Sequence, residues 1–148
     1  FIRPQFAPTS IETYREHFQP ATLAGSLDDP QAIIAVNAVC AETDEDAARR
    51  RAIAEATYKR MQRGDVGTRP SIDEAIDELG GVPEPTPARL GPEEWPRAIS
   101  GGPGTLASLL EQLTERVDVD EVMIQHIHAN HEDALRSHEL LAEGVGLA

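Results

Sequence analysis

Residues 31–41, QAIIAVNAVCA, form a nearly continuous apolar run that is followed at once by the helix-forming segment ETDEDAARRRAIAEATYKRMQRG. A run of this length, rich in Ile and Val, predicts a β-strand covered on both faces, as in a parallel sheet. Thr43 and Asp46 have the spacing of a capping box, and Gly64 is a candidate C-cap after the last basic turn. A strand joined to a helix by a short acidic turn is a β-α unit, so the chain is constrained to an α/β fold.

A second strand and two more helices are expected towards the C-terminus. The segment GGPGTLASLLEQL spaces its leucines for one helical face, and residues 122–128 predict a buried strand. The closing helix has Asn130 as its N-cap, and its inner face is expected to carry Leu135, His138, Leu141 and Ala142. Near the N-terminus, an apolar stub at residues 1–8 precedes a helix capped by Thr9 or Ser10. The chain therefore offers only two full strands and a stub.

Residues 64–103 are expected to be an insertion, because they hold most of the chain's 11 prolines. One short helix is predicted inside the insertion, with Ser71 and Glu74 as a capping box and Gly80 as its stop. A long insertion carried by an α/β domain usually serves a binding face or a lid.

Charge and cysteine content exclude several classes of protein. The formal net charge of -13 argues against nucleic acid or an anionic membrane surface as a partner, since both select basic faces. Lys59 is the single lysine among 13 basic residues, which together with the acidity resembles a surface adapted to high salt. The one cysteine, Cys40, allows no internal disulfide, which fits a cytoplasmic location.

His126 and His128 are the strongest candidate site residues. They follow Val122 and Ile124 at the same strand parity, so one face of the strand carries both. Three roles are open to them: lining a ligand pocket, holding a loop or helix through a ring nitrogen, or binding a metal together with His131. The metal alternative lacks a fourth ligand. Asn37, the polar residue inside the first strand, faces a pocket or is satisfied structurally. The segment SGGPGT admits a phosphate or a plain helix start.

Four segments carry a resemblance to the luciferase-like flavin-dependent monooxygenases. The segment DEVMIQHIHANHEDALRSHELLAE is similar to the last strand and helix of that family, with His138 in place of the usual Tyr. The segments QFAPTSIETYREHFQP, AIIAVNAVCAETDEDAAR and SGGPGTLASLLEQL resemble earlier family segments and occur in the same order. Gln5 falls at a common His position of the family. Each motif is weakly specific, but four in order cover nearly the whole chain.

The resemblance implies that residues 1–148 are the C-terminal part of a (β/α)8 TIM barrel: the tail of strand six, strands seven and eight, their helices and the insertion at 64–103. Known members bind reduced FMN, or in a related branch a deazaflavin, and use O2 to oxidise a small organic substrate. Active sites of such barrels lie at the carboxyl ends of the strands. His126, His128, Asn37 and Gln5 are therefore expected to bind the cofactor, with no metal and no assignable catalytic residue.

The expected function is the C-terminal part of a flavin-dependent monooxygenase. The alternative is a non-catalytic truncated remnant that acts as an oligomeric or partner-binding module. The chain alone is expected to be inactive, because the resembled family takes most of its flavin contacts from earlier strands. Its expected partners are the N-terminal half of the barrel, or further copies of itself, and a small-molecule substrate.

Overall fold

The structure is a computed structural model that describes residues 4–23, 27–65 and 67–147. The described part contains a short 3-10 helix, five α-helices and three β-strands. In chain order these are the 3-10 helix Pro4–Phe6, α1 Ala7–His17, β1 Ile33–Cys40, α2 Asp44–Gln62, α3 Ile72–Leu79, β2 Ala98–Gly101, α4 Pro103–Glu115, β3 Glu121–Gln125 and α5 His131–Gly144.

The three strands form one parallel sheet in the order β2-β1-β3. In the register, Asn37 of β1 lies opposite Ala98 of β2 on one side and Gln125 of β3 on the other. The central strand is thus the first in sequence, and the apolar run that predicted a doubly covered strand occupies the most protected position in the sheet.

Helices cover both faces of this sheet. On one face, Ala38 and Cys40 of β1 pack with leucines of α4 and α5. On the other face, α2 crosses β1 and β2 and holds α3 against its outer side through Ala52, Ile53 and Ala75. We call these the α5 side and the α2 side of the sheet. The core of the α5 side comprises Ala38, Cys40, Leu90, Ile99, Leu106, Leu109, Leu113, Leu140 and Leu141.

This topology corrects the expectation of strands six to eight of a (β/α)8 TIM barrel. In such a barrel the strands follow one another around the sheet in chain order, and all helices lie outside it. Here β1 separates β2 from β3, and α2 lies on the opposite face from α4 and α5. The connection through α2 runs from β1 to β2 at one edge of the sheet, and the connection through α4 runs back from β2 past β1 to β3 at the other edge. Right-handed crossovers that run in opposite directions place their helices on opposite faces. The fold is a small three-stranded parallel α/β sheet covered on both sides.

The N-terminal stub also differs from expectation. Residues Pro4–Phe6 form a 3-10 helix rather than the tail of a strand, and residues 1–3 lie outside the described part of the chain. Helix α1 begins at Ala7 with a proline in its first turn, without a side-chain cap from Thr9 or Ser10. In α5 the buried residues are Ser137, Leu140 and Leu141, so the expected inner face is confirmed for Leu141. It is wrong for Leu135, which is 49% exposed, while His138 is exposed but packs its ring against that of His126.

Three of the predicted helix caps form: that of α3 as a complete capping box, and those of α2 and α5 through the N-cap side chain alone. Ser71 and Glu74 form both hydrogen bonds of a capping box, and Gly80 ends α3 with a φ of 82°. The Thr43 hydroxyl accepts from the Asp46 amide at 3.1 Å, and Asn130 accepts from the Asp133 amide at 2.9 Å. No helix within the described ranges is long and apolar enough to cross a membrane.

Candidate functional site

A cavity of about 330 Å³ opens on the α2 side of the sheet. This volume lies at the lower end of the range of small-molecule sites. Its floor is formed by Asn37 and Ala98, which are register partners in β1 and β2. One wall is a face of α2. The lining residues are Asn37, Arg51, Ala54, Glu55, Tyr58, Lys59, Gln62, Arg97, Ala98 and Ile127.

The cations of this cavity divide into two kinds. Arg51 is buried, its Nε lies 2.9 Å from Glu55 Oε1, and its guanidinium also donates to Thr86 and to the Glu84 carbonyl. Lys59 and Arg97 form no ion pair with any carboxylate among the described residues, whereas Arg51 and Glu55 largely neutralise each other. The charge that the cavity presents to a ligand is therefore positive, in a chain of net charge -13.

Arg97 and Asn37 are held in place by contacts within the cavity. The Arg97 guanidinium lies over the Tyr58 ring, 4.3 Å from its centroid, which is cation–π geometry. The Asn37 side-chain amide donates to the Arg97 carbonyl at 3.3 Å. The polar groups thus stand beside the apolar side chains of Ala54 and Ile127, as a site for a small organic ligand requires.

A second group of candidate site residues lies at the carboxyl end of β3. The rings of His126 and His128 are 4.7 Å apart, centroid to centroid, and the ring of His138 from α5 lies 4.0 Å from that of His126. The loop after β1 leads to α2 and the loop after β3 leads to α5, on opposite faces of the sheet. Neighbouring strands whose connections diverge in this way define a topological switch point, where α/β proteins commonly bind ligands.

His128 is the most buried member of the cluster, with 4% of its surface exposed, and its Nε2 has no hydrogen-bond partner among the described residues. Burial, followed by the neighbouring His126, lowers the pKa of His128 to about 4. Burial and His138 also lower the pKa of His126 from its ordinary value. Both rings are therefore neutral at pH 7, and each presents one donor and one acceptor nitrogen.

Ion pairs surround the histidines at this edge of the sheet. Arg50 bridges Asp46 of its own helix to Asp133 of α5, and Arg136 contacts Glu42 at 2.9 Å. The adjacent Cys40 is buried, and burial followed by Glu42 raises its pKa to about 11, so the thiol stays protonated and unreactive. Within the described ranges, no three His, Cys, Asp or Glu side chains are arranged to hold a metal ion.

The start of α4, for which the sequence left open a phosphate site, is capped by a carboxylate of the chain itself. Asp44, the first residue of α2, accepts from the Gly102 amide at 2.7 Å and from the Thr105 hydroxyl at 3.2 Å. A Cβ on Gly101 would lie 2.9 Å from Thr105 and 3.1 Å from Asp44. The SGGPGT segment therefore joins α2 to α4 through a charged cap.

The structure does not bring the four predicted cofactor-binding residues together. Asn37 lines the α2-side cavity, while His126 and His128 face α5 on the other side of the sheet. Gln5 is exposed and borders a shallow depression with Trp95 and Arg116.

Sequence reasoning missed the α2 wall and Arg97. The wall residues recur along α2 with helical spacing, and the single lysine is among them, which is a signal that the sequence does contain. They are Arg51, Ala54, Glu55, Tyr58, Lys59 and Gln62.

Comparison with known proteins places the chain beside longer proteins. No family model matches it. It is 27% identical to the uncharacterized protein YvbT of Bacillus subtilis over 134 residues, covering 90% of this chain and 38% of YvbT. It is 29% identical to the uncharacterized protein YceB of the same organism over 143 residues, covering 97% of this chain and 41% of YceB.

Among solved structures, the chain is similar to the crystal structure of apo-MsnO8. The TM-score is 0.80 at 34% sequence identity, and the match covers 99% of this chain and 43% of MsnO8. The chain therefore spans about two-fifths of the length of the relatives it matches.

Proposed function

We propose that this chain is part of a cytoplasmic flavin-dependent monooxygenase that uses reduced FMN and O2 on a small organic substrate, with a deazaflavin as the alternative cofactor. The proposal rests on the resemblance of four ordered segments to the luciferase-like monooxygenases. The observation that carries it is the α2-side cavity, which contains Asn37, a residue expected to bind cofactor. Because the chain spans only part of the length of its relatives, the proposed activity requires this chain together with a polypeptide corresponding to the part of the relatives that it does not match.

The cavity suits a planar heteroaromatic group that carries an anion. Ala54, Ala98 and Ile127 provide apolar surface, and Asn37 provides an amide that can bond the polar edge of a ring. A bound flavin supplies the redox chemistry with O2 and substrate. The residues of this chain bind and orient the ligand and exclude water from the side that α2 covers.

The histidines have a separate role in this proposal. His126 and His128 lie on the α5 side, so one ligand meets both them and Asn37 only if it passes around the carboxyl ends of β1 and β3. Their neutral rings are suited to hydrogen bonds rather than to charge compensation. His128 Nε2, buried without a described partner, is the group for which such a bond brings the largest gain.

The second candidate function is a partner-binding module. Ile33 and Met123, on the α2 side of β1 and β3, are 55% and 54% exposed. They lie beside the outer edge of β3, which has no neighbouring strand within the described part of the chain. An apolar sheet face next to an open edge recruits other chains.

Flavin fluorescence quenching separates the two candidates. The chain is titrated with FMN alone and after mixing with a separately expressed polypeptide corresponding to the part of YvbT that it does not match. The monooxygenase proposal predicts weak or no quenching alone and saturable quenching with the complement. Asn37→Ala should weaken that binding. Gln125→Ala is the matched control, because Gln125 is the register partner of Asn37 but does not line the cavity.

Two results count against the monooxygenase. If the complement binds the chain tightly and no flavin binds to the mixture, the partner-binding module is favoured. If Asn37→Ala and Gln125→Ala leave FMN binding equally unchanged, the cavity is not the flavin site.

A further inference from the structure

The positive charge of the α2-side cavity is unexpected in so acidic a chain. Lys59, the single lysine, and Arg97 both border the cavity, and neither is paired with a carboxylate among the described residues. Most arginines elsewhere on the helices are paired, as Arg50 is with Asp46 and Arg60 with Glu78. Four other described arginines, Arg63, Arg69, Arg89 and Arg116, also have no carboxylate from that part of the chain within ion-pair distance. None of the four lines this cavity, so Lys59 and Arg97 are distinguished by sharing one concave surface, where a negative charge from outside the chain can meet both.

The two cations are anchored by different elements. Arg97 precedes β2 and is fixed by its position over Tyr58 and by the bond from Asn37 to its carbonyl. Lys59 is carried by the last turn of α2, next to Tyr58 in sequence. A guanidinium held by stacking loses less freedom when it binds an anion, so part of the entropic cost is met before binding.

We propose that this cavity binds the anionic group of an organic ligand, a phosphate monoester or a carboxylate, through Lys59 and Arg97. The inference rests on the proposed function in that the cavity must be a ligand site, but the anion need not belong to a flavin. A volume of about 330 Å³ is larger than a bare ion needs, and Ala54 and Ile127 give the remaining space an apolar wall. The ligand is therefore an organic anion, and inorganic phosphate is a probe for its charged group.

The first test is an amide NMR titration of the 148-residue chain with inorganic phosphate at constant ionic strength. We expect saturable shifts at Tyr58, Lys59 and Arg97. Lys59→Gln and Arg97→Gln should each raise the dissociation constant at least about fivefold, the loss expected for one charge-assisted hydrogen bond. Arg89→Gln is the matched control, because it removes the same charge from an exposed position away from the cavity. Lys59→Arg, which keeps the charge, should restore most of the affinity.

The second test uses the chain mixed with the complementing polypeptide, and it identifies the source of the anion by comparing FMN with riboflavin, which lacks the phosphate, and with hexanoate. If FMN binds more tightly than riboflavin to the wild type but not to Lys59→Gln, the anion is the phosphate of the cofactor. If hexanoate binds and loses affinity in both variants while FMN and riboflavin bind alike, the anion belongs to the substrate. Hexanoate or phosphate binding without flavin binding supports the inference and overturns the flavin proposal.

Three results overturn the inference itself. One is phosphate binding that is absent, or that Arg89→Gln weakens as much as the cavity variants do. Another is binding of both FMN and hexanoate that neither cavity variant changes, which leaves the flavin proposal standing. The third is a lower melting temperature in Lys59→Gln with an unchanged phosphate dissociation constant, which shows that Lys59 only complements the dipole of α2.

Discussion

Replacing Gly144 by alanine is expected to destabilise the chain, because α5 ends directly against the beginning of α4. A Cβ at Gly144 would lie 2.6 Å from the carbonyl oxygen of Pro103, and 3.0 and 3.1 Å from its carbonyl carbon and Cα. All three are backbone atoms, so no side-chain rotation can relieve the contact. One helix must move, and with it the packing of Leu140 and Leu141 against Leu106 and Leu109.

Two opposing effects set the size of this change. Alanine is favoured over glycine inside a helix by up to ~1 kcal/mol, and by less at a last residue such as Gly144. Overpacking a tight contact costs ~1–3 kcal/mol, and a clash with backbone belongs near the upper end. We therefore expect a net loss of ~2 kcal/mol, which lowers the melting temperature by roughly 4–8 °C in a chain of this size.

Urea denaturation followed by circular dichroism measures the effect. Gly104→Ala is the matched control, because Gly104 also lies in a helix, and nothing stands within 4 Å of its Cβ position. It should be neutral or stabilising by up to ~1 kcal/mol. An equal or higher stability of Gly144→Ala would refute the close approach of the two helices.

Three further predictions concern pH, salt and zinc. Because the folded pKa of His128, about 4, lies below the unfolded value of 6.5, stability present above pH 6.5 should fall towards pH 4 by as much as ~3 kcal/mol. Denaturation at several pH values should show a flatter dependence in His128→Gln but not in His131→Gln; equal slopes would contradict the shift. The melting temperature should rise from ~0.1 to ~2 M KCl, since salt screens the net charge of -13; a flat or falling value contradicts this. Calorimetry should detect no stoichiometric, sub-micromolar zinc site that His128→Ala removes, since no three ligands converge within the described ranges.

Local signals predicted the elements well. The capping pairs at Thr43, Ser71 and Asn130 all form, because each depends on residues three positions apart in the chain. Strand β2 was missed, since its four residues lie in a Pro- and Gly-rich segment. It becomes a strand by pairing with β1, which begins 65 residues earlier in the chain. Pairing between distant segments produces no pattern in the local sequence.

The order of the strands could not be obtained in the same way. The sequence of a β-α unit is the same whether its strand pairs with the next strand of the chain or with an earlier one. The expectation of a barrel came from the resemblance and not from any property of the strands. In the structure, β3 pairs with β1 rather than with β2, so the connection through α4 runs back past β1, and α4 lies on the opposite face from α2.

That difference in topology also explains why the predicted site residues separate. Strand periodicity correctly placed His126 and His128 on one face, but periodicity does not say which helix covers that face. Because β3 lies beside β1 with α5 above it, the even-numbered residues of both strands face α5, and the histidines join His138 there. The odd-numbered Asn37 consequently faces α2, where it meets Tyr58 and Arg97. Whether a strand residue is odd- or even-numbered therefore decides which of the two candidate sites it can join. Ile127, the odd-numbered residue between the two histidines, accordingly lines the α2-side cavity.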